Sequence, residues 1–580
     1  KMRLSILDCG AVADGVTKST DAINEAINRV SEAGGGYVII PPGEYVSGTI
    51  ILKSNVYLFL EPGSTVFGSM ENEELMVDCK NGAKENTQIF GEDLYNCGVL
   101  GHGTFDLRRE NYHVKPKLNG RPGMIRFREC TNVTIKGVTL RSPGWFTILL
   151  RNNTNVTIDS IVLDSADCEN GDGIDFSGSK NVTISNCKVS AGDDAIGLKD
   201  GGPCENFTIT NCVLSSKWAG IRIGPESSND MLNITVSNCV FNDCSDGIKI
   251  QNYGGGRFED FTFSNLNMVN VLRPIFITYN PSRWWRGKTG TFKRLLIDNV
   301  IARMGKRPEP GWFEDMIVIH GLPDYHIEDV MINNMHVIAP GGGKEDDGSS
   351  AENEELFDYM RYPDLVFQWE PYPSSCMYIR NVSRIRLSNC VFETALPDKR
   401  PAIAAQSVNG IRITNTELNG TDGLIRYCKV NGLNITNSEG TVIEESPEYV
   451  KRLNEFAAFS REVEKKFIDN DNLLIKLGKM QQTETLAVSE PTLSEAEFTF
   501  DHQGGEGYLK IDGVLGSPKV FLNGKEIYFL NRKQYYDFVI SVAVDLTDYL
   551  AVGKNVLKIK LEGVEDNFEN KKIGLFSPEK

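Results

Sequence analysis

Apolar and polar residues alternate in short runs through most of this chain, and the runs recur. "NVTIKG" begins at Asn132, "NVTIDS" at Asn155, "NVTISN" at Asn181, "NFTITN" at Asn206 and "NITVSN" at Asn233. The intervals are 23, 26, 25 and 27 residues, and looser copies follow at Phe261, Ile385, Ile411 and Leu433. Alternation is the period of a strand with one buried face. A repeat in the twenties, with several short strands and an asparagine at each bend, describes one coil of a parallel β-helix. One coil cannot bury its inner face alone. Successive coils stacked roughly 4.8 Å apart share a single apolar core.

The pattern changes towards both ends. In "STDAINEAINRVSEAGGG" (19–36), Ser19 or Thr20 offers an N-cap, and Ala22, Ile23, Ala26, Ile27 and Val30 fall on one helical face. A triple glycine ends the run, so the stretch predicts a helix capping the first coil. The repeat lapses between Pro340 and Pro373, which reads as a long insertion, acidic in its first half. The expected organisation is a β-helix over 1–445, a helical linker over 446–487 and a separate strand-rich unit over 488–580.

Bulk composition narrows the partners. The 580 residues carry a net charge of −17, which argues against nucleic acid, because phosphate binding needs a basic surface. No stretch approaches the length of a transmembrane helix. The opening "KMRLSILDCG" lacks the apolar region of a secretory signal. The protein is therefore expected to be cytoplasmic, or secreted or periplasmic with a signal removed. A homo-oligomer is compatible with the sequence. Of thirteen cysteines, Cys187, Cys212, Cys239 and Cys390 each follow an asparagine, which suggests a buried stack rather than disulfides or a metal site. The N-x-T sequences read as asparagine at a coil bend rather than as glycan acceptors.

Four consecutive coils carry a strand of the form small–Ile–x–apolar, at Gly173–Phe176, Ala195–Leu198, Gly220–Ile223 and Gly247–Ile250. Stacked in register, the residues before these strands form a column of Asp172, Asp194, Ala219 and Asp246. The x positions form an outward row of Asp175, Gly197, Arg222 and Lys249. Asp172, Asp193 and Asp194 would then share one patch, provided the chain bends at Gly192. Clustered carboxylates push one pKa upward and place a proton donor beside an ionised base, the division of labour that glycosidic hydrolysis needs.

"NGDGIDF" followed by "GDDAIGLKDG" resembles the signatures of glycoside hydrolase family 28, the polygalacturonase-like enzymes. The resemblance starts at "LDCGAVADGVTKSTDAINEAI" and runs to about residue 280. It implies an inverting glycoside hydrolase on a right-handed parallel β-helix, acting on a pectic or related glycan without metal or cofactor. Asp193 would be the general acid, with Asp172 and Asp194 activating water, and an inverting pair is expected roughly 6.5–9.5 Å apart. Trp218 stands where the family places a histidine, and Lys249-x-Gln251 replaces its Arg-x-Lys pair. Trp218, Arg222, Lys249, Gln251 and Tyr279 are the expected sugar contacts. The tail resembles small β-sandwich domains appended to glycosidases. A non-catalytic glycan-binding β-helix, a calcium-dependent polysaccharide lyase and other β-helix glycosidases stay open.

Overall fold

A computed structural model describes residues 2–109, 121–279, 290–305, 316–345, 373–421, 423–445, 480–489, 495–514, 517–527, 540–562 and 572–577. The chain divides into two compact units, Lys1–Leu453 and Asn454–Lys580. The first is a right-handed parallel β-helix. Its recurring runs pair directly: Val133 with Val156, Val156 with Val182, Val182 with Phe207, and Phe207 with Ile234. Inward side chains from every coil merge into one continuous apolar core. Cys187, Cys212 and Cys239 lie within it.

The bend asparagines explain the repeat. Asn132, Asn155, Asn181, Asn206 and Asn233 all adopt φ between 57° and 61°, the left-handed region that asparagine tolerates better than most side chains. Each side-chain amide donates to the asparagine one coil earlier, at 2.9–3.1 Å, in an unbroken ladder from Asn96. These are the asparagines of the N-x-T sequences, so the bend reading holds. Two coils with no clear copy in the sequence continue the stack, through Phe292–Met304 and Ile327–Gly341. Arg294 and Asp329 occupy the left-handed position there, which hides the pattern. The ladder turns ionic at those coils, with Arg294 donating to Asp260 at 2.5 and 2.9 Å.

The cap forms as expected. Helix Thr20–Glu32 buries Ala22, Ile23, Ala26, Ile27 and Val30. Gly34 and Gly35 then turn through positive φ as the chain enters the next strand. Among the described residues no helix is long and apolar enough to cross a membrane. Most of the expected insertion, 346–372, lies outside the described residues, as does 446–479 of the expected linker.

The second unit is a sandwich of two four-stranded antiparallel sheets. Leu509, Ile511 and Leu575 from one sheet meet Val520, Leu557 and Ile559 from the other in a single core. Gln481–Leu486, placed in the linker by the sequence pattern, is a strand of this unit paired with Lys572–Ser577.

Candidate active site

The columns stack in the expected register. Ile174, Ile196, Ile221, Ile248 and Ile275 lie directly over one another. Backbone bonds from Gly173 to Asp194 and from Ala195 to Ala219, at 2.9 and 2.8 Å, tie Asp172, Asp194 and Ala219 into one column. Asp246 follows opposite Ala219. In the same register Trp218 stands beside Asp193, so the position in line with Asp172 and Asp194 is held by Ala219.

The acids converge as the sequence required. Oxygen atoms of Asp172, Asp193 and Asp194 all lie within 4.8 Å of one another. Asp172 and Asp194 are buried, and Asp193 is half-buried. Gly192 permits this through close packing rather than an unusual φ. A Cβ there would stand 2.1 Å from the Cys168 carbonyl oxygen. Asp193 then folds back so that its Oδ1 accepts the Asp194 N–H at 2.9 Å, while Oδ2 accepts from Asn170 at 3.4 Å. The acids meet because Asp193 and Asp194 are chain neighbours and Asp172 is one rung away.

Two members of this site were not singled out from the sequence. Asp175, fully buried, joins the cluster, and Lys199 inserts its ammonium among the acids. Lys199 Nζ lies 2.5 Å from Asp172 Oδ2, 2.8 Å from Asp175 Oδ2 and 3.5 Å from Asp194 Oδ2. Parity contained the signal, since Lys199 is two residues beyond Gly197 on the outward row. The Lys199 ammonium also lies 4.7 Å from the Phe146 ring centre, and Phe146 packs against Trp145. Both aromatics are half-buried and belong to the stretch "SPGWFTILL" (142–150).

The electrostatics follow from burial and crowding. Burial raises the Asp194 carboxyl to about 6, with Asp193 adding to the rise and Lys199, Arg222 and Lys249 opposing it. Burial likewise holds Asp172 well above the usual aspartate range, against the pull of Lys199. Asp175 is raised for the same reason. Burial alone would lower the Lys199 pKa, but Asp172, Asp175, Asp194 and Asp193 together drive it well above its ordinary value.

The outward row is outward in parity but not in exposure. Arg222 is 3% exposed, while Lys249 and Gln251 are fully buried. Further along the same row, Phe276, Val318, Tyr378 and Ala404 form a second small apolar cluster. Lys249 pairs with Asp246 at 3.2 Å and sits 4.5 Å over the half-buried Trp218 ring. Arg273 grips Asp246 from the next coil at 2.6 and 2.8 Å. Arg222 donates to the Gly224 carbonyl at 3.0 Å, and Gln251 to the Tyr253 hydroxyl at 2.7 Å. Tyr279 falls on the inward parity and packs in the core beside Phe292 and Tyr325. Its hydroxyl donates to the Gly290 carbonyl at 2.6 Å, and burial pushes the phenol up to about 12. It is not brought to the acids.

Residues 38–303 match the model described as glycosyl hydrolases family 28. The segment is thus similar to that family, and the likeness covers under half of the chain. It contains all four acids, Lys199 and both flanking aromatic positions. A Vitis vinifera protein named "Probable polygalacturonase" is 28% identical over 218 residues, covering 34% of this chain and 44% of the relative. The chain thus spans under half the length of that relative. An Arabidopsis thaliana exopolygalacturonase is 27% identical over 313 residues, covering 51% and 69%. The crystal structure of a Thermotoga maritima exopolygalacturonase is similar to this chain in fold. It superposes with a TM-score of 0.51 at 19% identity, covering 68% of this chain and 92% of that one.

Proposed function

We propose that the protein is a glycoside hydrolase cleaving a glycosidic bond in a pectic or related glycan. The observation that carries this reading is the convergence of Asp172, Asp193 and Asp194 on adjacent rungs, within 4.8 Å, around one ammonium. The family 28 match and the polygalacturonases among its relatives support the substrate class.

Asp193 is the most exposed of the three acids and is the group that gives its proton to the leaving oxygen as the C–O bond breaks. Asp194, ionised above about pH 6, takes a proton from the water that attacks the anomeric carbon. Asp172, also raised by burial, shares that water with Asp194 as its hydrogen-bonding partner. Trp218 offers a half-buried face for a sugar ring one rung from Asp193. Arg222 and Lys249, being buried, act through their field on Asp194 and on an acidic sugar. Inversion is part of this proposal and rests on the resemblance of the acid motifs alone. The first-formed anomer is therefore the informative product.

Lys199 also bears on the calcium-dependent alternative. Its ammonium lies within the cluster and supplies positive charge there, which favours the hydrolase. The test is a panel of homogalacturonan, rhamnogalacturonan and neutral glycans, with EDTA present, for wild type and Asp193→Asn. Reducing sugar released by the wild type and lost in the variant supports the hydrolase, and proton NMR of the product assigns its anomer. Chelator-sensitive release of an unsaturated, ultraviolet-absorbing product would make it a lyase. Binding without release would make it a glycan-binding protein.

A further inference from the structure

The feature that most exceeds the family's acid signature is the Lys199–Asp175 pair beneath the acids. Gly197 makes it possible. Asp175 and Gly197 are paired on adjacent rungs, and a Cβ on Gly197 would come within 2.2 Å of Asp175 Oδ1. The Asp175 carboxylate therefore fills the space that a side chain at 197 would take. Lys199, two residues on, reaches back over this gap to contact Asp175, Asp172 and Asp194 together. Asp175 is fully buried, and Lys199 is 18% exposed with the Phe146 ring alongside. Neither is assigned proton transfer to the glycosidic oxygen, which falls to Asp193.

We propose that Lys199 is a positioning residue, seated by Asp175, whose ammonium holds Asp172 and Asp194 in one arrangement and keeps negative charge on the pair. The assignment rests on the hydrolase reading for its catalytic consequence, though not for its electrostatic one. Four carboxylates crowded together would otherwise retain protons and turn from one another. The remaining charges around the pair are accounted for. Asp193 faces it from the open side, Arg126 approaches Asp172 and Asp175 from the preceding coils, and Arg222 and Lys249 act on Asp194 from the following ones. Arg126 is itself committed to the carbonyls of Ile125, Thr147 and Phe146.

The test uses two substitutions with opposite expected signs. Lys199→Met removes the cation, so protonation of the carboxyl pair moves to higher pH, by about one unit or more. Asp175→Asn removes a repelling anion and leaves Lys199 to the reacting pair, so protonation moves to lower pH. Both are read by infrared titration of the protonated-carboxyl band in folded, full-length protein. They are also read as the acidic limb of kcat against pH. Lys199→Met is expected to lose roughly 10²-fold in kcat with KM changed less than about threefold, the mark of misplaced reacting groups. An ion pair serving only the fold would lower Tm while leaving titration and acidic limb in place, and that outcome overturns the proposal. So does a shift of the same sign in both variants. If Lys199→Met does not fold, Lys199→Gln replaces it, and Asp175→Asn alone still decides the sign. A wild type inactive on every glycan, with titrations that move as expected, would end the hydrolase reading and leave the role of Lys199 standing.

Discussion

Two regions of the β-helix are built on the same backbone and carry opposite local charge. In the first, Asp172, Asp175, Asp193 and Asp194 surround one cation, Lys199. In the second, two rungs beyond Asp194, Asp246 is held by two cations, Lys249 and Arg273. Asp246 stands in the column of Asp172 and Asp194, and Lys249 in the row of Asp175. All are buried to a similar degree except the half-buried Asp193 and partly covered Lys199. Fold and register therefore do not distinguish the two regions; the balance of charge does. An excess of buried carboxylates keeps protons bound near neutral pH, the condition for acid–base work. In the second region Asp246 is held between two cations, one of which, Lys249, also lies against the Trp218 ring.

The comparison can be broken at either end. Asp193→Asn is expected to lower kcat by about 10²–10⁴-fold with KM little changed, measured as reducing sugar released from the responsive glycan. The same kind of change at the basic end should act on stability. Asp246→Ala leaves Lys249 and Arg273 buried without their shared anion, an expected loss of about 3–5 kcal/mol seen as a lowered Tm. Should Asp246→Ala melt like the wild type, the two ion pairs of the second region do not stabilise the fold as described.

The pH dependence sharpens the contrast. With the Asp194 carboxyl at about 6, kcat should fall as pH drops through that value, because the base becomes protonated. Stability at this group moves the other way. The folded state binds a proton at Asp194 that the unfolded chain releases above the ordinary aspartate range, so lowering pH from about 6 towards that range stabilises the fold here. Asp194→Asn should abolish the rate and weaken the stability trend, leaving the part that Asp172 and Asp175 carry, read from rate and melting profiles across pH 4–8. The smallest effect is expected at Gly197→Ala. Its Cβ collides with Asp175, for about 1–3 kcal/mol of overpacking and a partial loss of rate.

Much of this was legible from spacing alone, for a physical reason. Stacked coils share one core, so the intervals between apolar runs give the register directly, and the column through Asp172, Asp194, Ala219 and Asp246 followed from it. The coils at Phe292 and Ile327 escaped because Arg294 and Asp329 stand in for the bend asparagine. Tyr279 was placed near the sugar by analogy, whereas its inward parity, countable from Ile277, already put it in the core. Trp145 and Phe146 lie in "SPGWFTILL", yet nothing local in it points to Lys199 two coils on.

The sequence by itself determined the coil, its bends, its cap and the rungs on which the acids stand, because these depend on alternation and on backbone conformations set by adjacent residues. The tertiary structure decided which groups are buried and which charges meet. Burial of the outward row, the gap over Gly197 and the reach of Lys199 to three carboxylates depend on side chains from separate coils. Those contacts set the protonation of the site, and proton affinity depends on dielectric surroundings and distance, which no spacing along the chain records.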